Sequence, residues 1–291
     1  MRQLLRDLRT HYPAYAALAA GTWQEMRLRL TAYGREGTPS VRVLEVGCGL
    51  QYPYVVLFHS AGVKVVGIDV EPLVRRDLRA GKYRELLRRH GAVMALRRLA
   101  GDALFHFAFY RPLGRSARLP MRHAGAQLVR MDATRCGFAS ESFDFVYSSA
   151  CFEHLPDGDA TLAEIDRVLK PDGIAEVEVH LFASMTGGHE PELYDRRVPP
   201  AGFPLWGHLL DPDWKAPLFL NRWRDRQFRE AFASRFQVLD KIVTSRHGHQ
   251  YLTREIEAKL ASRYPSEELS TESVLYVLRK IGSHAVGSAP S

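Results

Sequence analysis

A short apolar run followed by two glycines constrains this chain more than any other stretch. Val41, Val43, Leu44 and Val46 make a short, largely β-branched apolar run of strand length. Gly47 and Gly49 follow, and a helix-like run covers residues 54–60. A strand, a glycine turn and a helix bind nucleotide-like cofactors at the carboxyl end of a parallel sheet. Glycine lets the backbone approach the ligand, and the start of the helix offers free N–H groups to an anion.

The spacing around the turn argues against a dinucleotide. The third glycine of the dinucleotide fingerprint G-x-G-x-x-G falls at Tyr52, so the helix and strand cannot pack as closely as that motif requires. Glu45, two residues before Gly47, is also foreign to that fingerprint.

A second acidic residue stands at the distance expected of a ribose ligand. Residues 63–68 read as the second strand, and Asp69 follows them 20 residues after Gly49. A carboxylate in this place accepts hydrogen bonds from ribose hydroxyls. The alternative is an ordinary carboxylate at the start of a loop.

Length and composition indicate one large α/β domain with additions, or two small domains, in a chain of 291 residues. Cys48, Cys136 and Cys151 form no C-x-x-C pair, which argues against a zinc site or disulfide framework and fits a reducing, cytoplasmic location. The first ten residues lack the apolar core of a signal peptide, and no run approaches the about 20 apolar residues of a membrane span.

Three stretches carry a resemblance to a known family. Residues 45–49 read Glu-Val-Gly-Cys-Gly, residues 141–157 read ESFDFVYSSACFEHLPD, and Lys-Pro-Asp-Gly fills 170–173 after a helical run at 163–169. The chain resembles the class I S-adenosylmethionine-dependent methyltransferases, specifically the methyltransferase type 11 group, from about residue 41 to 181. One departure is Gln51, which stands where the family's acidic-x-G-x-G-x-G motif has its last glycine.

The resemblance implies a fold and a cofactor. It implies an α/β, doubly wound seven-stranded sheet (a Rossmann-like methyltransferase fold), with strands at 127–131, 143–148 and 174–181 and a last strand at 273–281 antiparallel to the fifth. The implied cofactor is S-adenosylmethionine, with Asp69 at its ribose, Asp132 at the adenine amino group and Ala133 beside the ring. The full set of predicted cofactor-binding residues is Glu45, Gly47, Cys48, Gly49, Asp69, Val70, Asp132, Ala133 and Ser148.

The predicted domains are an N-terminal helical arm at 1–40 and a methyltransferase domain at 41–291. Within that domain we predict a helical insertion after strand two, at about 75–125, and a substrate-side loop at about 182–220. From Arg75 to Arg122 the chain carries 13 Lys or Arg against 3 Asp or Glu, a net charge of +10 where the whole chain has +7. The insertion is either a solvated basic face over a small aromatic core, or a cap that contacts an anionic acceptor or a membrane surface.

Candidate catalytic residues follow strands four and five. Methyl transfer to a hydroxyl needs a base, and histidine suits neutral pH. His154, His180 and His189 fall at or just beyond the expected carboxyl ends of these strands, and Glu153 adjoins His154. Each of these histidines can instead cap, pack or face solvent. His189 with Glu190 and His208 is a metal-binding alternative, but the spacing matches no metal signature and we predict no metal ligands.

The sequence therefore predicts a methyltransferase that acts on oxygen in a small molecule, a sugar or a glycan. Alternatives are an N- or C-methyltransferase, a non-catalytic S-adenosylmethionine-binding protein, and a nucleic-acid-binding protein that uses the Arg-rich insertion. Against the last, the arginines interleave with leucine at helical spacing and no RNA-binding motif is present. The oligomeric state is left open.

Overall fold

The computed structural model describes residues 11–34, 41–71, 80–123, 125–193 and 198–281. The chain forms two compact units, Met1–Met131 and Asp132–Ser291. Together they supply seven strands of a mixed sheet with flanking helices, which confirms the predicted fold class. The predicted division at residue 40 does not coincide with these units and stays a prediction.

The first unit carries three strands in the order β3-β2-β1, all parallel. Its elements are α1 (Tyr12–Ala32), β1 (Arg42–Val46), α2 (Pro53–Ser60), β2 (Lys64–Asp69), α3 (Ala80–Phe105), α4 (Arg111–Ala117) and β3 (Gln127–Arg130). β1 and β2 are buried after their first residue, as a parallel strand covered on both faces should be. A Cβ on Gly67 of β2 would lie 2.5 Å from Cγ2 of Val55 in α2, so this glycine allows α2 to pack directly on the strand.

The predicted insertion after strand two is helical. It consists of α3, which bends at Gly91 (φ 79°), a π-helical turn at His106–Tyr110, and α4. Its aromatic residues form a small core with α1, since Tyr12 meets Phe105 edge-on with ring centroids 5.1 Å apart and Tyr15 stacks on Phe109 at 5.2 Å. The aromatic cluster therefore joins the N-terminal helix to the insertion.

The second unit carries four strands in the order β4-β5-β7-β6. Its elements are β4 (Phe143–Ser149), α5 (Gly158–Val168), β5 (Leu169–His180), α6 (Gly207–Leu210), α7 (Asp225–Ala233), β6 (Phe236–Arg246), α8 (Arg254–Leu260), α9 (Ser266–Ser270) and β7 (Thr271–Lys280). β4 and β5 are parallel, whereas β7 is antiparallel to both β5 and β6. The predicted antiparallel strand beside strand five is confirmed.

Two local predictions are wrong. The fifth strand begins at Leu169 rather than 174. The Lys-Pro-Asp-Gly segment lies inside the strand, and the register with β4 shifts across it. Asn221 precedes a helix-like run that ends at Phe232, a position that predicts an N-cap, but it is not the N-cap of α7. Its side chain instead donates to the carbonyl of Phe152 (2.7 Å) and accepts from the amide of Trp223 (3.1 Å), and α7 begins only at Asp225.

The predicted substrate-side loop is packed over much of its described length. Phe182, Met185, Trp206 and Leu209 form a buried apolar cluster with side chains of α8 and α9. This cluster anchors the chain on both sides of His189. In the described part of the chain, no helix has both the length and the apolar character needed to cross a membrane.

Candidate functional site

The glycine turn after β1 is fixed by hydrogen bonds to the end of β2. The amides of Gly47 and Cys48 donate to the carbonyl of Ile68 (2.9 and 3.0 Å), and the amide of Gly49 donates to Oδ2 of Asp69 (2.9 Å). Gly47 and Gly49 have φ angles of 70° and 64°, a region that L side chains rarely adopt. The two features that predicted a cofactor site, the glycines and Asp69, are thus parts of one hydrogen-bonded structure.

The structure leaves Asp69 and the turn able to receive a ligand. Oδ1 of Asp69 accepts the amide of Glu71 (2.9 Å), so each carboxylate oxygen uses one of its two lone pairs. A Cβ added to Gly49 would meet none of the described atoms within 4 Å. The residues therefore fit a ribose at Asp69 and a ligand chain above the turn.

Gln51, where the family motif expects glycine, is held by the insertion. The hydroxyl of Tyr110 donates to the carbonyl of Gln51 (2.7 Å), and the next residue, Tyr52, is left-handed with φ 35°. Sequence reasoning did not anticipate Tyr110, because nothing local links a residue of the π-helical turn to a glycine motif 59 positions earlier.

Glu45 is buried beneath the turn. Burial raises the pKa of its carboxyl well above the ordinary value, the backbone N–H of Val55 opposes this rise, and the charge of Asp69 adds to it. Glu45 therefore contacts the start of α2 in the resting protein, and its predicted role at the cofactor stays a prediction.

The other predicted cofactor residues occupy different settings. The side chain of Asp132 is exposed and accepts from the amide and hydroxyl of Thr134 (2.9 and 2.8 Å), which lowers its pKa and keeps it ionised. Ala133 is buried, Val70 is exposed, and the hydroxyl of Ser148 is buried with no hydrogen-bond partner in the described part of the chain.

The structure gathers the candidate catalytic residues of the second unit into one histidine cluster, defined here as Glu153, His154, His180 and His189. His154 and Glu153 belong to a short turn after β4, and His180 ends β5. The ring of His189 lies between the other two rings, with its centroid 4.8 Å from each. Three segments that are distant in sequence therefore meet at this point.

Hydrogen bonds fix two of the imidazoles as specific tautomers. Nδ1 of His154 donates to the carbonyl of Phe219 (3.1 Å), so its Nε2 is unprotonated in the neutral ring. Thr186 donates its hydroxyl to Glu272 (2.7 Å) and therefore accepts from Nε2 of His180 (3.0 Å). His180 is thus left with an unprotonated Nδ1. Thr186 and Glu272 are functional candidates that carry no sequence signal.

The cluster is electrically neutral at pH 7. Burial lowers the pKa of His154 and His180, and burial together with the neighbouring histidines lowers that of His189 to about 3. Burial raises the pKa of Glu153 to about 8, against the opposing effect of nearby backbone N–H groups. Glu153 thus holds a proton and the imidazoles do not.

Of the metal-binding alternative from the sequence, only Glu190 and His208 lie close together. Nδ1 of His208 lies 3.6 Å from Oε1 of Glu190, but Nε2 of His208 bonds the carbonyl of Phe182 (2.8 Å). His189 instead groups with Glu153 and His154, and the ligand atoms of these three residues all lie within 4.8 Å of one another. All three residues were predicted from the sequence as catalytic candidates, but not as one metal-binding set.

Part of the chain is similar to known methyltransferases. Residues 111–177 match the model of the methyltransferase domain. An uncharacterized methyltransferase of Mycobacterium leprae is 31% identical over 193 residues, which are 65% of this chain and 56% of that protein. One from Mycobacterium sp. strain JLS is 27% identical over 176 residues, 60% of this chain and 50% of that protein. The chain spans about half the length of these relatives.

Solved structures of similar fold are distant. An S-adenosylmethionine-dependent methyltransferase from Mesorhizobium loti is 16% identical in sequence. The match covers 82% of this chain and 91% of that one, with a TM-score of 0.45. The matched domain model and the curated relatives show that part of this chain is similar to methyltransferases, and the seven-stranded sheet and the glycine turn tied to Asp69 agree with the class I S-adenosylmethionine-dependent family that the sequence resembles.

Proposed function

We propose that this protein transfers a methyl group from S-adenosylmethionine to a hydroxyl oxygen of a small molecule or a glycan. The observation that carries the proposal is the histidine cluster, in which the neutral His180 keeps an unprotonated Nδ1. A hydroxyl nucleophile must lose a proton, and an imidazole with a free lone pair is the side chain that accepts one near neutral pH.

The cofactor supplies a methyl group already activated on a sulfonium, so the protein has to align the acceptor and take its proton. In this proposal, Asp69 binds the ribose hydroxyls, the turn from Gly47 to Gly49 holds the amino-acid portion, and Asp132 and Ala133 receive the adenine. The open space above Gly49 and the free lone pairs of Asp69 support these assignments.

Glu272 supports His180 as the base. Although burial acts to raise its pKa, hydrogen bonds from Ser245 and Thr186 lower it, so Glu272 stays ionised. Its charge, relayed through Thr186, stabilises the imidazolium that forms when His180 takes a proton. This support is specific to His180, because the neighbouring charges that act on His189 are those of other histidines, and these lower its pKa.

A test combines methyl transfer with cofactor binding. We expect tritiated methyl from S-adenosylmethionine to enter one class of hydroxyl-bearing acceptor in a screen, and His180→Asn to lower kcat by about 10²–10⁴-fold. Binding of S-adenosylhomocysteine should be unchanged in this variant. His249→Asn, which removes an exposed histidine, is the matched control.

The alternatives make different predictions in the same screen. An N- or C-methyltransferase labels amine or carbon acceptors and does not depend on His180 for proton removal from a hydroxyl. A non-catalytic protein binds S-adenosylhomocysteine but labels nothing. A nucleic-acid-binding protein shows RNA affinity that falls steeply with salt and is lost when the arginines of α3 are replaced.

We also infer that the acceptor, or the surface that carries it, is anionic. In α3 and the turn after it, four apolar side chains are 49% to 65% exposed and fall on one face by helical spacing: Val93, Leu96, Leu104 and Phe107. Arg97, on the same exposed helix, has no ion pair among the described residues. Exposed apolar and cationic groups together favour a phosphate-linked sugar or the surface of an anionic membrane.

A cytoplasmic location remains part of this proposal. No disulfide joins Cys48, Cys136 or Cys151, which fits the reducing compartment that the sequence predicted.

A further inference from the structure

We propose that Glu153, His154 and His189 form a binding site for one divalent transition-metal ion. Their ligand atoms, one from each residue, all lie within 4.8 Å of one another. Ligands that share one ion at bond lengths of about 2.1 Å lie about 3 to 4 Å apart. Small side-chain rotations are therefore enough to bring the three atoms onto a common ion.

The carboxyl of Glu153 is the second, independent observation. Its side chain is almost fully buried, and neither of its oxygens makes a hydrogen bond of normal geometry within the described part of the chain. A buried carboxyl without partners is costly to the fold, and such groups are normally paired or coordinate a metal. A bound cation supplies the missing partner.

His154 is oriented as metal-ligating histidines usually are. His154 donates Nδ1–H to the carbonyl of Phe219, which orients the ring and leaves Nε2 as the free nitrogen, 4.0 Å from Oε1 of Glu153. A ligating histidine characteristically gives its other N–H to a carbonyl or carboxylate in this way.

His189 reaches the site through a strained backbone. Its φ angle is 55°, and its amide donates to the carbonyl of Thr186 (3.0 Å), which closes the turn that carries the ring to the other two residues. A non-glycine residue in the left-handed region costs free energy, and such residues cluster at functional sites. The turn thus fixes the third ligand.

The donor set indicates the class of metal. Two imidazoles and one carboxylate suit Mn²⁺, Fe²⁺ or Zn²⁺ better than Mg²⁺ or Ca²⁺, which prefer oxygen ligands. Three protein ligands leave open positions on the ion. Resting on the proposed function, we assign those positions to oxygen atoms of the acceptor. The ion would lower the pKa of a bound hydroxyl, and the proton would pass to Nδ1 of His180.

The experiment measures metal binding without cofactor or acceptor, so its outcome is separate from that of the methyl-transfer screen. The full chain is stripped with a chelator and titrated with Mn²⁺, Zn²⁺ and Mg²⁺ by calorimetry, and bound Mn²⁺ is counted by electron paramagnetic resonance. We expect one Mn²⁺ or Zn²⁺ per chain and at least 100-fold weaker binding of Mg²⁺. Co²⁺ should give an absorption band typical of nitrogen ligation.

Variants locate the ion. Glu153→Gln and His189→Asn should each weaken Mn²⁺ affinity at least 10-fold, while His249→Asn, which removes an exposed histidine, should leave it unchanged. Retained S-adenosylhomocysteine affinity and an unchanged circular dichroism spectrum show that each variant is folded. The proposal is overturned if the parent binds no ion at millimolar concentration, or if Glu153→Gln and His189→Asn bind as tightly as the parent.

Discussion

Ionisable groups are exposed and charged on helix α3 of the first unit, whereas those of the histidine cluster in the second unit are more buried and neutral. In α3, Glu85 pairs with Arg88 and Arg89, three and four residues along the same exposed face. In the cluster, the groups come from three separate segments, are largely buried and stay neutral. Charges that are solvated and locally paired contribute little to stability, whereas buried groups change their pKa values instead.

The contrast indicates which part of the chain can position groups for catalysis and which part can only attract anions. The arginines give α3 a diffuse attraction for anions, which salt weakens. The cluster gives precise donors and acceptors at half-buried positions around the buried Glu153. Substitutions in both regions test this contrast, and the largest expected effect comes first.

Replacing the proposed base, the half-buried His180, should have the largest effect. His180→Asn should cost about 10²–10⁴-fold in kcat, equivalent to about 3–5 kcal/mol of transition-state stabilisation. If kcat stays within threefold of the parent while a hydroxyl acceptor is labelled, His180 is not the base and the cluster loses its assigned role.

Glu153 should make stability depend on pH in a sense opposite to that of an ordinary surface carboxylate. The folded protein keeps the proton of Glu153 up to about pH 8, whereas an unfolded chain releases it near pH 4.5. The unfolded state therefore binds fewer protons in this window, and stability falls as pH rises, by up to about 1.4 kcal/mol per pH unit.

Glu153→Gln should remove that dependence. Compared with the parent in chelator, the variant should have a similar free energy of unfolding at pH 5 and a larger one at pH 8. Urea unfolding at four pH values between 5 and 8 measures this difference. A difference that stays constant over the range would show that Glu153 titrates in the same way in both states.

Asp69 lies between the two extremes, because it is partly buried but bonded to backbone amides. Asp69→Ala should weaken S-adenosylhomocysteine binding by about 2–3 kcal/mol, since the buried hydroxyls of the ligand lose their acceptors. Gly47→Val should weaken it further, because the side chain would occupy ligand space and strain a residue at φ 70°. Calorimetry with both variants tests the order, and an unchanged Kd for Asp69→Ala removes that residue from the ribose.

The arginines of α3 should have the smallest effect. Arg98 forms an ion pair with Asp102, which is 1% exposed, so it should be left intact. Replacing Arg88, Arg89 and Arg97 with Gln should raise KM for an anionic acceptor several-fold at low salt and less at high salt, without changing cofactor binding. Unaltered acceptor kinetics at low salt would identify these arginines as a solvated face.

Sequence reasoning was most successful where the signal is contiguous. The strand, the two glycines and Asp69 were predicted from spacing alone, because one turn and one strand pairing bring them together. The three histidines were predicted because parallel strands end at a common edge. How they interact was not predictable, since Thr186 and Glu272 meet His180 only through the loop after β5 and the pairing with β7.

Local patterns failed where tertiary contacts override them. Asn221 is a residue type that favours N-caps, but its side-chain amide donates a hydrogen bond to the carbonyl of Phe152 instead. The Lys-Pro-Asp-Gly segment is typical of a turn, yet pairing with β4 extends β5 toward its N-terminus as far as Leu169. In both places a partner more than 20 residues away decides the local conformation.

The position of β7 between β5 and β6 has a consequence for how the protein is made. Ribosomal synthesis delivers β5 and β6 well before residues 271–280, yet both pair with β7 through antiparallel ladders. Until β7 emerges, each presents an unpaired edge with free N–H and C=O groups, which invites association with other nascent chains. Completion of this half of the sheet is therefore a late, non-local event in folding, and slow folding after translation is the expected result.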